Sequence, residues 1–159
     1  MNRSWANCGD AVRAVIQRVT EASVTADGRA VSFIGPGLLV LLAVQKGDTE
    51  EEAVWLARRL PGLRIFADAL GRMNLSLGEI QGEILLVSQF TLAADLSRGR
   101  RPSFESAARP ERARALYDLV ISELSAGDAP VRTGLFGAMM RISLVNDGPV
   151  TFVLEKTHA

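Results

Sequence analysis

Residues 38–44 read Leu-Leu-Val-Leu-Leu-Ala-Val, seven apolar residues with no polar position at either helical or strand spacing. The run follows Gly35-Pro36-Gly37 and has the length of a strand, not of a helix. A strand with no polar face must be covered on both faces, so it belongs at the centre of a sheet. At 159 residues and 48% apolar content, the chain can build one sizeable core and is too short for two ordinary domains. A single domain over residues 12–159 is expected.

The flanking segments supply the rest of that sheet. Residues 12–25 are β-branched and partly alternating, and Asp27-Gly28 is a hairpin signal leading into a second strand over 29–34. Thr49 and Glu52 have the spacing of a capping box, and Ala53, Leu56, Ala57 and Leu60 recur at helical spacing up to Pro61-Gly62. A short strand over 63–66 and a Gly-containing turn over 68–74 follow. Residues 83–92 read as a strand that is apolar at Ile84, Leu85, Leu86 and Val87 and polar at alternate positions in Ser88-Gln89-Phe90-Thr91. A strand that turns polar while still rich in β-formers is leaving the core toward a site or an edge.

Residues 94–109 form a loop carrying Arg98, Arg100, Arg101 and Arg109. Pro110 suits the first turn of a helix, which Ala113, Leu116, Val120 and Leu124 stripe before Gly127 stops it. Coil and then a strand with Met140, Ile142 and Leu144 on one face are expected over 133–145. The segment Val-Asn-Asp-Gly-Pro-Val-Thr at 145–151 reads as a hairpin corner before a last strand with Val150, Phe152 and Leu154. About seven strands and two helices define an α+β fold, a mostly antiparallel or mixed sheet curling toward a barrel with the helices packed on it.

Composition removes most chemistries. Lys and Arg total 18, as do Asp and Glu, so no global field draws the protein to a polyanion, and any phosphate must be met by a local patch such as the arginine loop. Cys8 is the one cysteine and His158 the one histidine, the latter one residue from the C-terminus. A Ser-His-Asp or Cys-His site therefore lacks a base, and no metal spacing or phosphate-cradling glycine loop is present. Asp68 and Glu83 could pair as catalytic carboxylates, but solvated turn positions account for them better. No run reaches the roughly 18 apolar residues of a membrane span, which with the cysteine count points to the cytoplasm and to no membrane partner. What remains is the polar strand end 88–91, the arginine loop and Gly148-Pro149. A Gly-Pro bond is cis at low cost, and a cis bond would turn two carbonyls side by side as acceptors for an ammonium group.

Ser-Gln-Phe-Thr-Leu-Ala-Ala-Asp at 88–95, Arg-Pro-Ser-Phe at 101–104 and Leu-Val-Asn-Asp-Gly-Pro-Val-Thr at 144–151 resemble the D-aminoacyl-tRNA deacylase family. Ala-Val-Ile-Gln-Arg-Val at 14–19 and Thr-Gly-Leu-Phe-Gly-Ala at 133–138 match it too, in family order from about Val12 to Leu154. The resemblance implies hydrolysis of the ester joining a D-amino acid, or glycine, to the terminal adenosine of tRNA, without a cofactor. It implies a homodimer whose site crosses the interface, with the Gly-cisPro pair of one subunit entering the pocket of the other. Gly148 and Pro149 would then bind the substrate amino group and exclude an L side chain, and Arg18 would orient them. Ser88, Gln89, Phe90 and Thr91 would meet the adenosine and the ester carbonyl, and Arg98, Arg100 and Arg101 the phosphates of the acceptor end. The family's RNA-assisted mechanism, in which the terminal 2′-hydroxyl activates water, fits a chain without a base.

Two other readings use the same residues. One is an esterase with Thr91 as covalent nucleophile, which needs a base; the other is a non-catalytic module binding an RNA end through Phe90 and flanking arginines. Read singly, Thr91 is also an ordinary strand residue, Phe90 a core aromatic and Arg18 a solvated arginine. Residues 1–11 carry no periodicity and are expected to be a disordered leader. Family members usually begin with methionine where this chain has Val12, so a start assigned upstream of the native one is expected.

Overall fold

A computed structural model describes residues 11–157. Residues 1–10 of the expected leader, with Cys8, and His158 lie outside the described residues, whereas Ala11 opens the first strand. Eight strands and two α-helices are present among the described residues: β1 (Ala11–Ala26), β2 (Arg29–Ile34), β3 (Gly37–Ala43), α1 (Glu50–Arg59), β4 (Phe66–Ala67), β5 (Met73–Leu75), β6 (Glu83–Ser88), α2 (Pro110–Ser125), β7 (Val131–Thr133) and β8 (Arg141–Thr157).

The main sheet has the order β2-β1-β3-β6-β7, and β8 runs antiparallel along the whole of β1. Pairing is parallel for β3 with β6 and for β6 with β7, and antiparallel elsewhere, so the sheet is mixed. Approach of β2 to β6 and β7 nearly closes it into a barrel. The expected α+β class and curl are observed.

The apolar run behaves as its sequence demands. Leu38, Val40 and Leu42 of β3 join Ile84 and Leu86 of β6 and Leu56, Leu116 and Val120 of the helices in one core. Leu39, on the opposite face, joins Leu85, Val87, Val19, Val24 and Ile34 in a second. Packing is tight enough between β3 and β6 that a Cβ built on Gly37 would meet the Glu83 carbonyl.

Local signals set the helix ends. Thr49 caps α1, accepting from the Glu51 N–H (3.3 Å), while the Glu52 carboxylate accepts from the Thr49 N–H (2.7 Å). Pro110 opens α2, which buries Leu116, Tyr117, Val120 and Leu124. The Tyr117 hydroxyl donates to the Leu86 carbonyl at 3.0 Å, and burial pushes its pKa up to about 12.

The neutral phenol is therefore the form the fold prefers. Its contribution to stability is complete below the ordinary tyrosine pKa of 10 and is lost as pH rises through about 12. Tyr117→Phe removes one buried hydrogen bond, but the Leu86 carbonyl still accepts from the Gly134 N–H at 3.2 Å. Urea unfolding at pH 7 is expected to show a loss of about 1 kcal/mol. No loss, or a loss of several, would contradict this account of the contact.

Three expectations are corrected. First, β6 ends at Ser88 instead of reaching Leu92. Gln89 donates to the Leu42 carbonyl (2.8 Å), but β3 stops at Ala43, so the following residues have no ladder and coil into a 3₁₀ turn, Phe90–Ala93. Second, 145–151 is not a hairpin corner. Both flanks pair with the same strand, β1, so the chain bulges and continues as one strand. Third, the strand expected over 63–66 starts only at Phe66, β5 arises largely within the expected turn over 68–74, and β7 forms where no strand is expected.

Candidate active site

The bulge is defined by register. Gln17 of β1 faces Thr151 of β8 and Val19 faces Asn146, so two steps on β1 span five on β8, and residues 147–150 project from the ladder. Asn146 closes the base of the projection. Its Oδ1 accepts from the Val150 N–H (2.7 Å), and its Nδ2 donates to the Val150 carbonyl (3.2 Å) and to Thr151 Oγ1 (3.1 Å).

Arg18 braces the other side. Its Nε donates to the Asp147 carbonyl (2.9 Å) and stands 3.4 Å from Asp147 Oδ2, while Nη1 donates to the Ile65 carbonyl (2.8 Å). With its side chain only 12% exposed, Arg18 is a structural brace, not a solvated strand arginine. The Gly148-Pro149 peptide bond is cis, and both residues are exposed at the tip, over a buried Val150.

Residues 88–91 sit at the far end of β6. Ser88 and Gln89 are half-buried, whereas Phe90 and Thr91 are exposed. Phe90 is no core aromatic: it is 57% exposed, and its ring meets that of Phe104 at 5.1 Å between centroids and a 56° tilt. Phe104 is delivered there by the Asp95–Ser103 bridge, with N–H to carbonyl distances of 2.7 and 3.0 Å. Asp95 is held below the usual carboxylate range by its hydrogen bonds with Ser97.

The Gln89 amide donates to Thr91 Oγ1. A hydroxyl that accepts in this way keeps its own proton to donate outward. Nothing in this group titrates near neutrality, so the turn can position and polarise a carbonyl but offers no general base.

The structure therefore assembles two clusters and keeps them apart. Arg18 with 146–150 lies beside Leu38 of β3, and Ser88 lies beside Leu42. Four positions of extended chain separate them along the strand direction, about 13 Å, and β1 and β3 stand between β8 and β6. Among the described residues, no hydrogen bond or ring contact joins Gly148 or Pro149 to 88–91. Arg98, Arg100 and Arg101 are exposed beyond Asp95 and form no salt bridge among the described residues, although the charge of Arg98 also favours the ionised Asp95.

Sequence reasoning gave Phe104 no role, although it stands in a quoted motif, and for Asn146 it expects only local side-chain to backbone bonding, which the Val150 contacts show. It gave no role to Arg13, whose Nη1 donates to the Leu92 carbonyl at 2.8 Å. An asparagine before Gly-Pro was the one available signal, since its side chain can copy a backbone turn. A concavity of about 610 Å³ along α1 beside Trp55, Arg59 and Lys156 has its carboxylates engaged, Glu50 by Arg112 and Glu51 by Lys156. Among the described residues no group of three His, Cys, Asp or Glu is placed to hold a metal ion, and no helix is long and apolar enough to cross a membrane.

Comparison with known proteins gives this geometry a family. Residues 15–155 match the family model described as D-Tyr-tRNA(Tyr) deacylase. The chain is 58% identical over 144 residues to the D-aminoacyl-tRNA deacylase of Geotalea uraniireducens, covering 91% of this chain and 93% of that one. It is 59% identical over 144 residues to that of Roseiflexus castenholzii, covering 91% and 92%. Among solved structures it superposes on the c-Myc DNA unwinding element binding protein with a TM-score of 0.87 at 40% identity, over 92% of this chain and 99% of that one. A probable eukaryotic D-amino acid tRNA deacylase shares the fold, with a TM-score of 0.80 at 20% identity over 92% and 100%. With a family model spanning most of its length and relatives well above half identical, the chain belongs to the D-aminoacyl-tRNA deacylase family.

Proposed function

We propose that the protein hydrolyses the ester of D-aminoacyl-tRNA, and of glycyl-tRNA, to free tRNA and amino acid, as a chiral proofreading step in the cytoplasm. The observation that carries this reading is the braced, exposed Gly148-Pro149 tip, held by Arg18 and Asn146 on β8, two strands removed from β6 and offset about 13 Å along the strand direction from the 88–91 turn. A second copy of the chain would bring the tip of one subunit to the turn of the other. The unpaired outer edge of β8, with Val145, Phe152 and Val153 exposed, is the kind of surface a partner covers.

In this assembly the carbonyls of Gly148 and Pro149 accept from the substrate ammonium and leave no room for an L side chain. Ser88, Gln89 and Thr91 hold the ester carbonyl and the terminal ribose, and Phe90 stacks on the adenine. Arg98, Arg100 and Arg101 meet phosphates of the acceptor end, where positive charge contributes affinity that falls with salt. No cofactor takes part. Water is activated by the terminal 2′-hydroxyl, because the turn supplies donors and no base.

A site that inspects the α-carbon through main-chain groups ignores side-chain identity and discriminates by exclusion. Incubation with D-Tyr-tRNA, D-Asp-tRNA and L-Tyr-tRNA is expected to show cleavage of the first two and sparing of the third. Equal cleavage of both tyrosyl enantiomers would overturn chiral selection. The name of the solved structure at 40% identity, together with the exposed Phe90-Phe104 pair, favours a second reading, a nucleic-acid-end binder. Binding of D-Tyr-tRNA with the ester left intact would establish it instead.

A further inference from the structure

We propose that Arg13, oriented by Glu155, is the positioning residue that holds the turn bearing Phe90 and Thr91 in its working geometry; the assignment rests on the deacylase reading above. The 3₁₀ turn Phe90–Ala93 begins where β6 has lost its ladder, so little backbone pairing fixes it. Its first end is tied by the Gln89 N–H on the Leu42 carbonyl, at 2.8 Å. The other end is tied by Arg13, whose Nη1 donates to the Leu92 carbonyl at 2.8 Å across 79 residues of sequence. Ala93, the next residue, is buried at 4% exposure and anchors the turn to the body.

Arg13 is itself aimed. It faces Glu155 directly across the β1–β8 ladder, and its Nε donates to Glu155 Oε1 while Nη1 reaches the turn. A planar guanidinium meets two acceptors in fixed directions at once, which a lysine ammonium does not. Arg13 and Arg18 thus brace the two clusters from one strand. Arg18 grips the tip meant for the partner, and Arg13 grips the turn of its own pocket.

The test is steady-state hydrolysis of D-Tyr-tRNA by the dimeric wild type, Arg13→Ala, Arg13→Lys and Glu155→Gln, with L-Tyr-tRNA as the selectivity control. Arg13→Ala is expected to lower kcat by roughly tenfold to a hundredfold, the scale of misplacing reacting groups by about an ångström. The rejection of L-Tyr-tRNA should stay near wild type, because the tip is not touched, and KM should rise by less than kcat falls, because the phosphate contacts remain. Arg13→Lys should recover part of kcat, and Glu155→Gln should fall between it and the wild type. A role confined to folding would lower the unfolding midpoint and leave kcat per folded enzyme unchanged.

Wild-type kcat in Arg13→Ala, or a loss shared equally with L-rejection, overturns the assignment. Should Arg13→Ala not fold, a lowered kcat with L-rejection kept in Arg13→Lys or Glu155→Gln supports it, and wild-type kcat in both overturns it. A wild-type protein that leaves D-Tyr-tRNA intact would instead sink the proposed function itself.

Discussion

Gly148→Ala is expected to lower hydrolysis of D-aminoacyl-tRNA by about a hundredfold or more while the protein stays folded. Gly148 has φ +155°, a region side chains rarely occupy, and a Cβ placed there would lie 2.5 Å from Val150 Cγ2 and 2.6 Å from the Val150 nitrogen. Something must move. Val150 is buried and its N–H is the group that Asn146 Oδ1 holds at 2.7 Å, so relief comes at the expense of the clamp that shapes the tip. Strain of this kind costs about 1–3 kcal/mol, and the tip is exposed and absent from both core clusters, so the barrel survives.

The same variant reports on the assembly. If each pocket is completed by its neighbour, Gly148→Ala spoils the tip its subunit lends and leaves its own turn intact. A Gln89→Ala, Phe90→Ala double variant does the reverse. Each homodimer should be nearly inactive, whereas co-expressed subunits should recover up to about a quarter of wild-type activity, because half the dimers are mixed and each has one sound site of two. A co-expressed mixture as inactive as its parents, or light scattering that shows an active monomer, would end the shared-site account.

Whether a feature could be read from the sequence depended on how far its cause lies along the chain. Thr49 with Glu52, Asp27 with Gly28 and Pro110 act within four residues, and each marks its element boundary as expected. The run 38–44 announces two-sided burial because no polar face exists to expose. By contrast, residues 89–92 have strand-forming composition and fail to be a strand only because β3 ends at Ala43, some 45 positions earlier in sequence. Whether 145–151 reverses the chain likewise depends on which strand its flanks pair with, and both pair with β1. At three residues, β7 is too short for any period to register. The motif residues of the candidate site stand out by resemblance. Arg13 does not, since its bond to the Leu92 carbonyl exists only after β1 and the end of β6 have been brought together.

Removing the substrate's own hydroxyl should matter more than removing the enzyme's. General-base assistance is typically worth about a hundredfold to ten-thousandfold in rate, roughly 3–5 kcal/mol, and an unassisted threonine lacks it. The Thr91 hydroxyl is engaged by the Gln89 amide, a donor that does nothing to raise its nucleophilicity, and no carboxylate or imidazole among the described residues is hydrogen-bonded to it. On the proposed mechanism the terminal adenosine brings a vicinal hydroxyl with every substrate, held beside the ester by binding alone, so orientation would replace a protein base. Thr91→Ala is therefore expected to keep measurable activity, losing one hydrogen bond to the substrate, on the order of tenfold. A D-aminoacyl-tRNA esterified at the 3′ position whose terminal adenosine lacks the 2′-hydroxyl should be cleaved at least about a hundredfold more slowly than its ribose counterpart by the wild type. Full activity on the deoxy substrate, or an acyl group trapped on Thr91 when the reaction is quenched early, would move the chemistry from the RNA to the protein.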